Sequence, residues 1–409
     1  MKILPRLLFF SAALLNAQPP PLPLAQPEDV GLSAERLRRV DALAERLQAE
    51  HQIAGAVAAV ARRGRLVLLG AHGYGDLAAG RRLRPDDIFA MASMTKPIIA
   101  VGVLMLLEED RLLLSDPLEK YLPEYRDSKV AVPRAGAPGA YDLVPLERSV
   151  TIHDLLIHRS GLATGAGPAA AALREAMRAL PADAALAEHV GALARVPHNF
   201  QPGAAWEYGP SYDVLGRVIE VVSGLPLDVF LRRRIFEPLR MVDSGFTVAP
   251  EKLPRLAVIY EGSPQGGLRA ARRQSTDSRF FSGSGGLFST APDYLRFCQM
   301  LLNGGQLDGR RLLSRKSIEL MTARHSDPIP LSFLRGQYYG LGVAVRKDDG
   351  DSGLLGSPGT FGWSGAYNTY FRIDPKEQLI LIFLVQRSPA NNLDIQYGFQ
   401  NTVMQAIAD

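Results

Sequence analysis

The chain has 409 residues, 47% of them hydrophobic and 22% charged, a balance that excludes a largely disordered or fibrous protein and predicts about two folding units. Lysine and arginine number 46 against 42 acidic residues, so the net charge is only +4. With no Lys/Arg block interleaved with aromatics, no nucleic-acid partner is expected. The single cysteine, Cys298, excludes an intrachain disulfide and a thiolate-cluster metal site, and its apolar surroundings from Tyr294 to Leu302 predict a buried thiol.

Lys2 and Arg6 precede an apolar run from Leu7 to Leu15, followed by Asn16, Ala17 and a proline-rich stretch. That order is the order of a secretory signal peptide over 1–17, with a linker over 18–30. Its removal would lower the net charge to +2, since Lys2 and Arg6 leave with it. The run is too short to span a bilayer, so no stable membrane span is expected, and the protein is read as periplasmic or secreted.

Ser33 is placed to cap an amphipathic helix carrying Leu37, Val40, Leu43 and Leu47. Gly55–Ala61 and Arg65–Gly70 read as a hairpin turning at Arg62-Arg63-Gly64. The middle of the chain is rich in helix formers, and its alanine-heavy stretch from Pro168 to Val196 is predicted as packed or lid-like helices. Segments such as Val130 to Arg148 read as loops. Near the other end, Ala366–Asp374 and Gln378–Gln386 predict a second hairpin, and Asp394–Ile407 a helix. The expected fold is therefore α+β: an antiparallel sheet flanked by helices and built from both chain termini (31–97 and 275–409), with an inserted, mainly helical domain (98–274).

The run from Met91 to Leu107 carries the chemistry. Its apolar tail predicts a buried helix, and Pro97 is tolerated only in the first turn, which places Ser93 at the helix N-terminus. Lys96 follows on the same face one turn later. A serine hydroxyl is a poor nucleophile until a neighbouring base takes its proton, and a lysine amine becomes that base once burial strips its water. The helix N-terminus adds a positive field that favours a developing oxyanion. Ser-x-x-Lys alone is a weak signal, but of eight lysines only Lys96 has a serine three positions before it. No Gly-x-Ser-x-Gly elbow, His-Glu-x-x-His or phosphate loop competes with it. His153 and His158 are read as capping or core residues.

Phe89-Ala-Met-Ala-Ser-Met-Thr-Lys-Pro, Leu114-Ser-Asp-Pro-Leu-Glu-Lys-Tyr-Leu-Pro, Thr151-Ile-His-Asp-Leu-Leu-Ile-His-Arg-Ser-Gly-Leu, Pro202-Gly-Ala-Ala-Trp-Glu-Tyr and Ser284-Gly-Gly-Leu occur in that order. With these blocks the chain, from about Gly31 to Gln386, resembles the serine β-lactamase and penicillin-binding-protein superfamily. The likeness is greatest to its class C-like branch and to the esterases known as family VIII. The resemblance implies Ser93 as the acylated nucleophile, Lys96 as its partner, and Tyr208 as the phenol that exchanges protons with Ser93, leaving group and water. It implies an oxyanion hole from the backbone N–H groups of Ser93 and Ala366, and no metal or cofactor.

Two departures from the lactamase pattern bear on the substrate. The second motif, Tyr-x-Asn in lactamases, stands here as Tyr208-Gly209-Pro210, so no side-chain amide is offered. The third, Lys-Thr-Gly, stands as Trp363-Ser364-Gly365, so no ammonium awaits a substrate carboxylate. Losing a charge-assisted contact costs about 1.5 to 3 kcal/mol, one to two decades in affinity. The implied partner is an uncharged small-molecule ester, with Trp363, Phe361 and Tyr367 as apolar walls. Asp213 reads as a structural hydrogen-bonder. The same scaffold also implies β-lactamase, D-aminopeptidase or acyltransferase activity as alternatives, and a non-catalytic sensor as the alternative of a different class. Oligomeric state is not legible in the sequence.

Overall fold

The computed structural model describes residues 21–409, apart from 138, 264–266, 272–273, 327–335, 348–349, 351 and 390–392. The expected signal peptide lies outside the described residues. The largest sheet has eight antiparallel strands: β1 Gly55–Arg62, β2 Arg65–Asp76, β3 Arg81–Arg82, β4 Gln337–Tyr339, β5 Ala344–Arg346, β6 Phe361–Ser364, β7 Tyr370–Asp374 and β8 Leu379–Val385. Their order is β4-β5-β6-β7-β8-β1-β2-β3. At its centre β1 pairs with β8, Ala56 opposite Val385 and Arg62 opposite Leu379. Strands from the two ends of the chain thus lie side by side.

Every residue of β1 is buried, because the sheet is covered on both faces. Val57 and Ala59 join Ile380, Ile382 and Leu384 in the main core. Ala56, Ala58 and Val60 join Leu381, Phe383 and Val385 in a second core. Successive side chains point to opposite faces, so one run of sequence feeds both cores. The second core is closed by α1 Ala34–Leu37, α2 Arg39–Ala49 and α11 Leu393–Met404, with Phe399 stacked on Phe383 at 4.5 Å between ring centres. Ser33 does cap α1, its Oγ accepting from the Arg36 N–H, but the helix is interrupted at Arg38 and continues as α2.

On the other side, α3 Thr95–Glu108 is buried from Thr95 to Leu106. Around it lie α4 Ile152–Leu156, α5 Ala170–Arg178, α6 Leu186–Ala194, α7 Ser211–Ser223, α8 Leu227–Leu231, α9 Ala291–Leu302 and α10 Arg315–Met321. The alanine-rich stretch thus forms α5 and α6, held by buried Leu186, Val190 and Leu193. One core holds Val57 and Ile382 of the sheet together with Val101, Leu215 and Phe230 of the helices. Cys298 is fully buried, and burial pushes its thiol well above the usual range.

Three local expectations are corrected. The expected loop from Val130 to Arg148 contains a two-stranded hairpin, Lys129–Pro133 with Tyr141–Pro145. The strand expected from Ala366 starts only at Tyr370, because the chain turns over 365–369 with Asn368 at φ 63°, a left-handed conformation that interrupts extension. The expected proline-rich linker is packed from Pro21 onward: Leu22 is buried, Leu66 N–H donates to Pro23 O at 2.8 Å, and Arg296 Nη1 donates to Pro21 O at 2.8 Å.

Candidate active site

Ser93 sits in a single 3-10 turn, Ala92–Met94, immediately before α3. Ala92 takes φ 46°, costly for a residue with a Cβ, so the turn must be held from outside. Thr95 supplies one hold, its Oγ1 donating to Ala92 O at 2.7 Å and accepting from Leu287 N–H at 3.1 Å. Met91 supplies another, its N–H donating to Leu287 O at 2.8 Å and its carbonyl accepting from Thr369 Oγ1 at 2.9 Å.

Lys96, only 2% exposed, donates from Nζ to Ser93 Oγ at 3.0 Å and to Ser284 O at 2.7 Å. Its Nζ also lies 4.5 Å from the centre of the Tyr208 ring. The Ser284 carbonyl is held in place by Asp213 in the first turn of α7. Asp213 Oδ1 accepts from Ser284 N–H at 3.0 Å and Ser282 Oγ at 2.7 Å, while Ser284 Oγ accepts from Asp213 N–H at 3.2 Å. Gly283 lets this loop reach α7, since a Cβ there would lie 2.2 Å from Tyr212 O.

Tyr208 stands just before α7. Pro210, the residue in place of the motif asparagine, precedes the first residue of that helix. The segment is anchored by Glu207, whose N–H donates to His158 O at 3.0 Å and whose carboxylate accepts from Asn199 Nδ2 at 3.0 Å and from Thr164 Oγ1. Trp363 on β6 reaches across and donates its indole N–H to Tyr208 Oη at 3.2 Å.

The end of β6 is pressed against the Ser93 turn. A Cβ at Gly365 would lie 2.4 Å from Met91 O and 3.2 Å from Ala92 Cβ, so only glycine fits. Ala366 and Ser93, the residues that follow this contacting pair, are thereby brought to one place. Among the described residues neither backbone N–H has a hydrogen-bond acceptor. Two such donors suit an oxyanion.

Of the other expected residues, Ser364 is half-buried at the end of β6. Phe361 is buried in the main core, and Tyr367 packs instead against a satellite cluster containing Ile88, Leu256 and Phe288. Sequence reasoning missed the rest of the aromatic wall. Tyr339 meets Trp363 edge-on at 5.1 Å, and Trp206 lies 6.1 Å from Tyr208 and 5.9 Å from Tyr339. Beneath them His158 is fully buried, its ring 4.6 Å from that of Tyr208. Burial, aided by nearby Lys96, holds its imidazole well below the usual histidine range. Trp206 and His158 stand inside recognisable motif blocks, whereas Tyr339 has no sequence signal and is found only through space. No cluster of His, Cys, Asp and Glu among the described residues is arranged to hold a metal ion.

A model of the beta-lactamase family matches residues 40–398. The chain belongs to the beta-lactamase family. It is 37% identical over 360 residues to an uncharacterized protein of Mycobacterium tuberculosis, covering 84% of this chain and 88% of that one. It is 33% identical over 379 residues to the esterase EstB of Burkholderia gladioli, covering 86% and 91%. Among solved structures, EstCE1, described as a hydrolase with promiscuous acyltransferase activity, superposes with a TM-score of 0.78 at 22% identity, over 92% of this chain and 99% of that one, and shares the fold. This family member is a serine hydrolase. Among its described residues no helix is long and apolar enough to cross a membrane.

Proposed function

We propose that the protein is a carboxylesterase acting on small, uncharged acyl esters through a Ser93 acyl-enzyme. The observation that carries this reading is the contact of buried Lys96 Nζ with Ser93 Oγ at 3.0 Å, beneath a wall of Trp206, Tyr208, Tyr339 and Trp363. Ser93 Oγ attacks the ester carbonyl as its proton passes to the Lys96 and Tyr208 pair. The oxyanion forms against the N–H groups of Ser93 and Ala366. The alcohol leaves with a proton from Tyr208, and water attacks the acyl carbon, releasing the acid and returning a proton to Ser93. The absence of a motif lysine at Trp363 favours an uncharged acyl group over a β-lactam carboxylate, and the identity to EstB supports an ester substrate. The Lys2 to Ala17 segment supports export to the periplasm or beyond.

The test is a comparison of wild type, Ser93→Ala and Lys96→Arg on a short-chain p-nitrophenyl ester and a chromogenic cephalosporin. The expected result is ester turnover that falls at least about 10³-fold in both variants, with cephalosporin cleaved slowly or not at all. Lys96→Arg fails because a guanidinium cannot give up its proton. Faster cephalosporin cleavage would reverse the substrate reading, and turnover surviving in Ser93→Ala would remove the acyl-enzyme.

A further inference from the structure

A cleft of about 520 Å³ includes buried Met105 of α3 in its lining and none of the residues around Ser93. Met105 follows Lys96 by nine positions along α3, which at 1.5 Å rise per residue puts the two roughly 14 Å apart. The walls come from two segments about seventy residues apart, which is why no basic run marks them in the sequence. One is the stretch after α8, where Arg232–Phe236 form a π-helical turn closed by Glu237 N–H donating to Arg232 O at 2.8 Å. Such widened turns recur at functional sites because they re-aim the side chains that follow. The other is a tight hairpin, Gln306–Leu307 with Arg310–Arg311, whose two-residue turn is Asp308 at φ 48° and Gly309 at φ 73°.

These elements place Arg233, Arg234, Arg240, Arg310 and Arg311 around the cleft. Of its two carboxylates, Asp308 accepts from buried Arg296, and exposed Glu237 lies 3.7 Å from Arg232. Arg234 is paired with Glu109. Arg311 is fixed by uncharged groups, donating to Leu313 O at 2.9 Å and Gln306 Oε1 at 2.8 Å. Arg233, Arg240 and Arg310 have no carboxylate partner among the described residues. Five guanidinium groups thus line one concavity against two carboxylates, which leaves it net positive. Like charges held together on pre-set elements are unfavourable unless an anion joins them, and the planar fork of arginine fits tetrahedral phosphate oxygens two at a time. The volume exceeds what a lone carboxylate fills and lies within the range of small-molecule sites.

We propose that this cleft binds a multiply charged phosphate group, carried on a soluble polyphosphate or displayed on a lipid headgroup. The site is separate from the Ser93 chemistry and does not rest on the esterase reading. Calorimetry with sodium tripolyphosphate and co-sedimentation with phosphatidic acid vesicles, against phosphatidylcholine vesicles, test the two sources at low ionic strength. The variant is Arg233→Gln with Arg240→Gln and Arg310→Gln. Its control, Arg65→Gln with Arg174→Gln and Arg178→Gln, removes the same charge from exposed positions elsewhere.

The expected result is saturable binding that weakens at least about tenfold in the cleft variant, is kept in the control, and leaves turnover unchanged in both. Binding of tripolyphosphate identifies a soluble ligand, and binding of phosphatidic acid vesicles alone identifies a headgroup. Failure to bind either probe overturns the proposal. So does equal binding by wild type and cleft variant, or an equal loss in the control.

Discussion

Trp363 donates its indole N–H to the Tyr208 hydroxyl across 3.2 Å. The residue that replaces the lactamase lysine is therefore an apolar wall and also a fixed donor to the group proposed to shuttle protons. Trp363→Phe keeps the wall and removes the donor. A neutral hydrogen bond is worth about 1 kcal/mol, so kcat for a short ester is expected to fall about five- to tenfold, with KM nearly unchanged. Steady-state kinetics decide it. A KM effect with kcat intact would make Trp363 a binding surface only.

Asp213 acts on Lys96 through Ser284, since its Oδ1 receives the Ser284 N–H and the Ser284 carbonyl receives Lys96 Nζ. Asp213→Ala frees that loop and is expected to lower kcat about 10- to 100-fold, while Asp213→Asn, which keeps an acceptor oxygen in place, recovers most of the loss. A merely structural role would lower the melting temperature of both variants and leave kcat per folded molecule unchanged. Parallel kinetics and thermal melts separate the two cases.

The Ser93 run and the two central hairpins were legible because each is specified locally, by Pro97 limiting where α3 begins and by apolar runs broken at Arg63-Gly64 and Pro375-Lys376-Glu377. The Lys96 partnership was legible because three residues on a helix fix direction as well as spacing. The strand boundary at Ala366 was not. Asn368 turns the chain there with φ 63° while its side chain donates to Arg387 O at 3.0 Å, a contact nineteen residues away. The aromatic wall was half legible for a similar reason: Trp206 and Tyr208 share one segment, whereas Tyr339 arrives on β4 and is set beside Trp363 only by sheet order. Tyr367 shows the converse, an aromatic beside the motif that the turn sends to another cluster.

Asp293 in the first turn of α9 is 2% exposed, and burial pushes its carboxyl up to about 6. Its Oδ2 accepts from Asp243 N–H at 2.7 Å and Ser244 Oγ at 2.9 Å, two bonds an amide oxygen can also receive. The unfolded chain ionises this group near pH 3.9 and the folded chain only near 6, so stability falls as pH rises between the two and stays lowered above them. Asp293→Asn removes that cost. The variant is expected to be more stable than wild type at pH 7, by up to about 3 kcal/mol, and to lose the advantage near pH 4. Urea unfolding at both values checks it. A less stable variant at pH 7 would show that the charge itself is needed, for instance by Lys252.

Three histidines set the opposite slope. His158 and His198 are buried, and burial lowers them; His153 is lowered by partial burial and then by His325, whose Nδ1 lies 3.0 Å from its Nε2. Below about pH 6.5 the unfolded chain takes protons that these folded imidazoles refuse, so stability present above that pH is lost as it falls. His72 runs the other way, raised by its hydrogen bond to Asp41, with stability present at low pH and lost as pH rises through its folded value. In the Asp293→Asn background, where the carboxyl no longer compensates, stability is expected to drop between pH 6.5 and 5. The drop is up to roughly 2 kcal/mol for each histidine that stays neutral across that range. Neither ring nitrogen of His158 has a hydrogen-bond partner among the described residues, so His158→Phe loses no bond while removing one titration. The readout is the pH slope rather than absolute stability, because φ 58° at this position strains phenylalanine more than histidine. An unchanged slope in His158→Phe would mean that this imidazole already takes its proton in the folded protein.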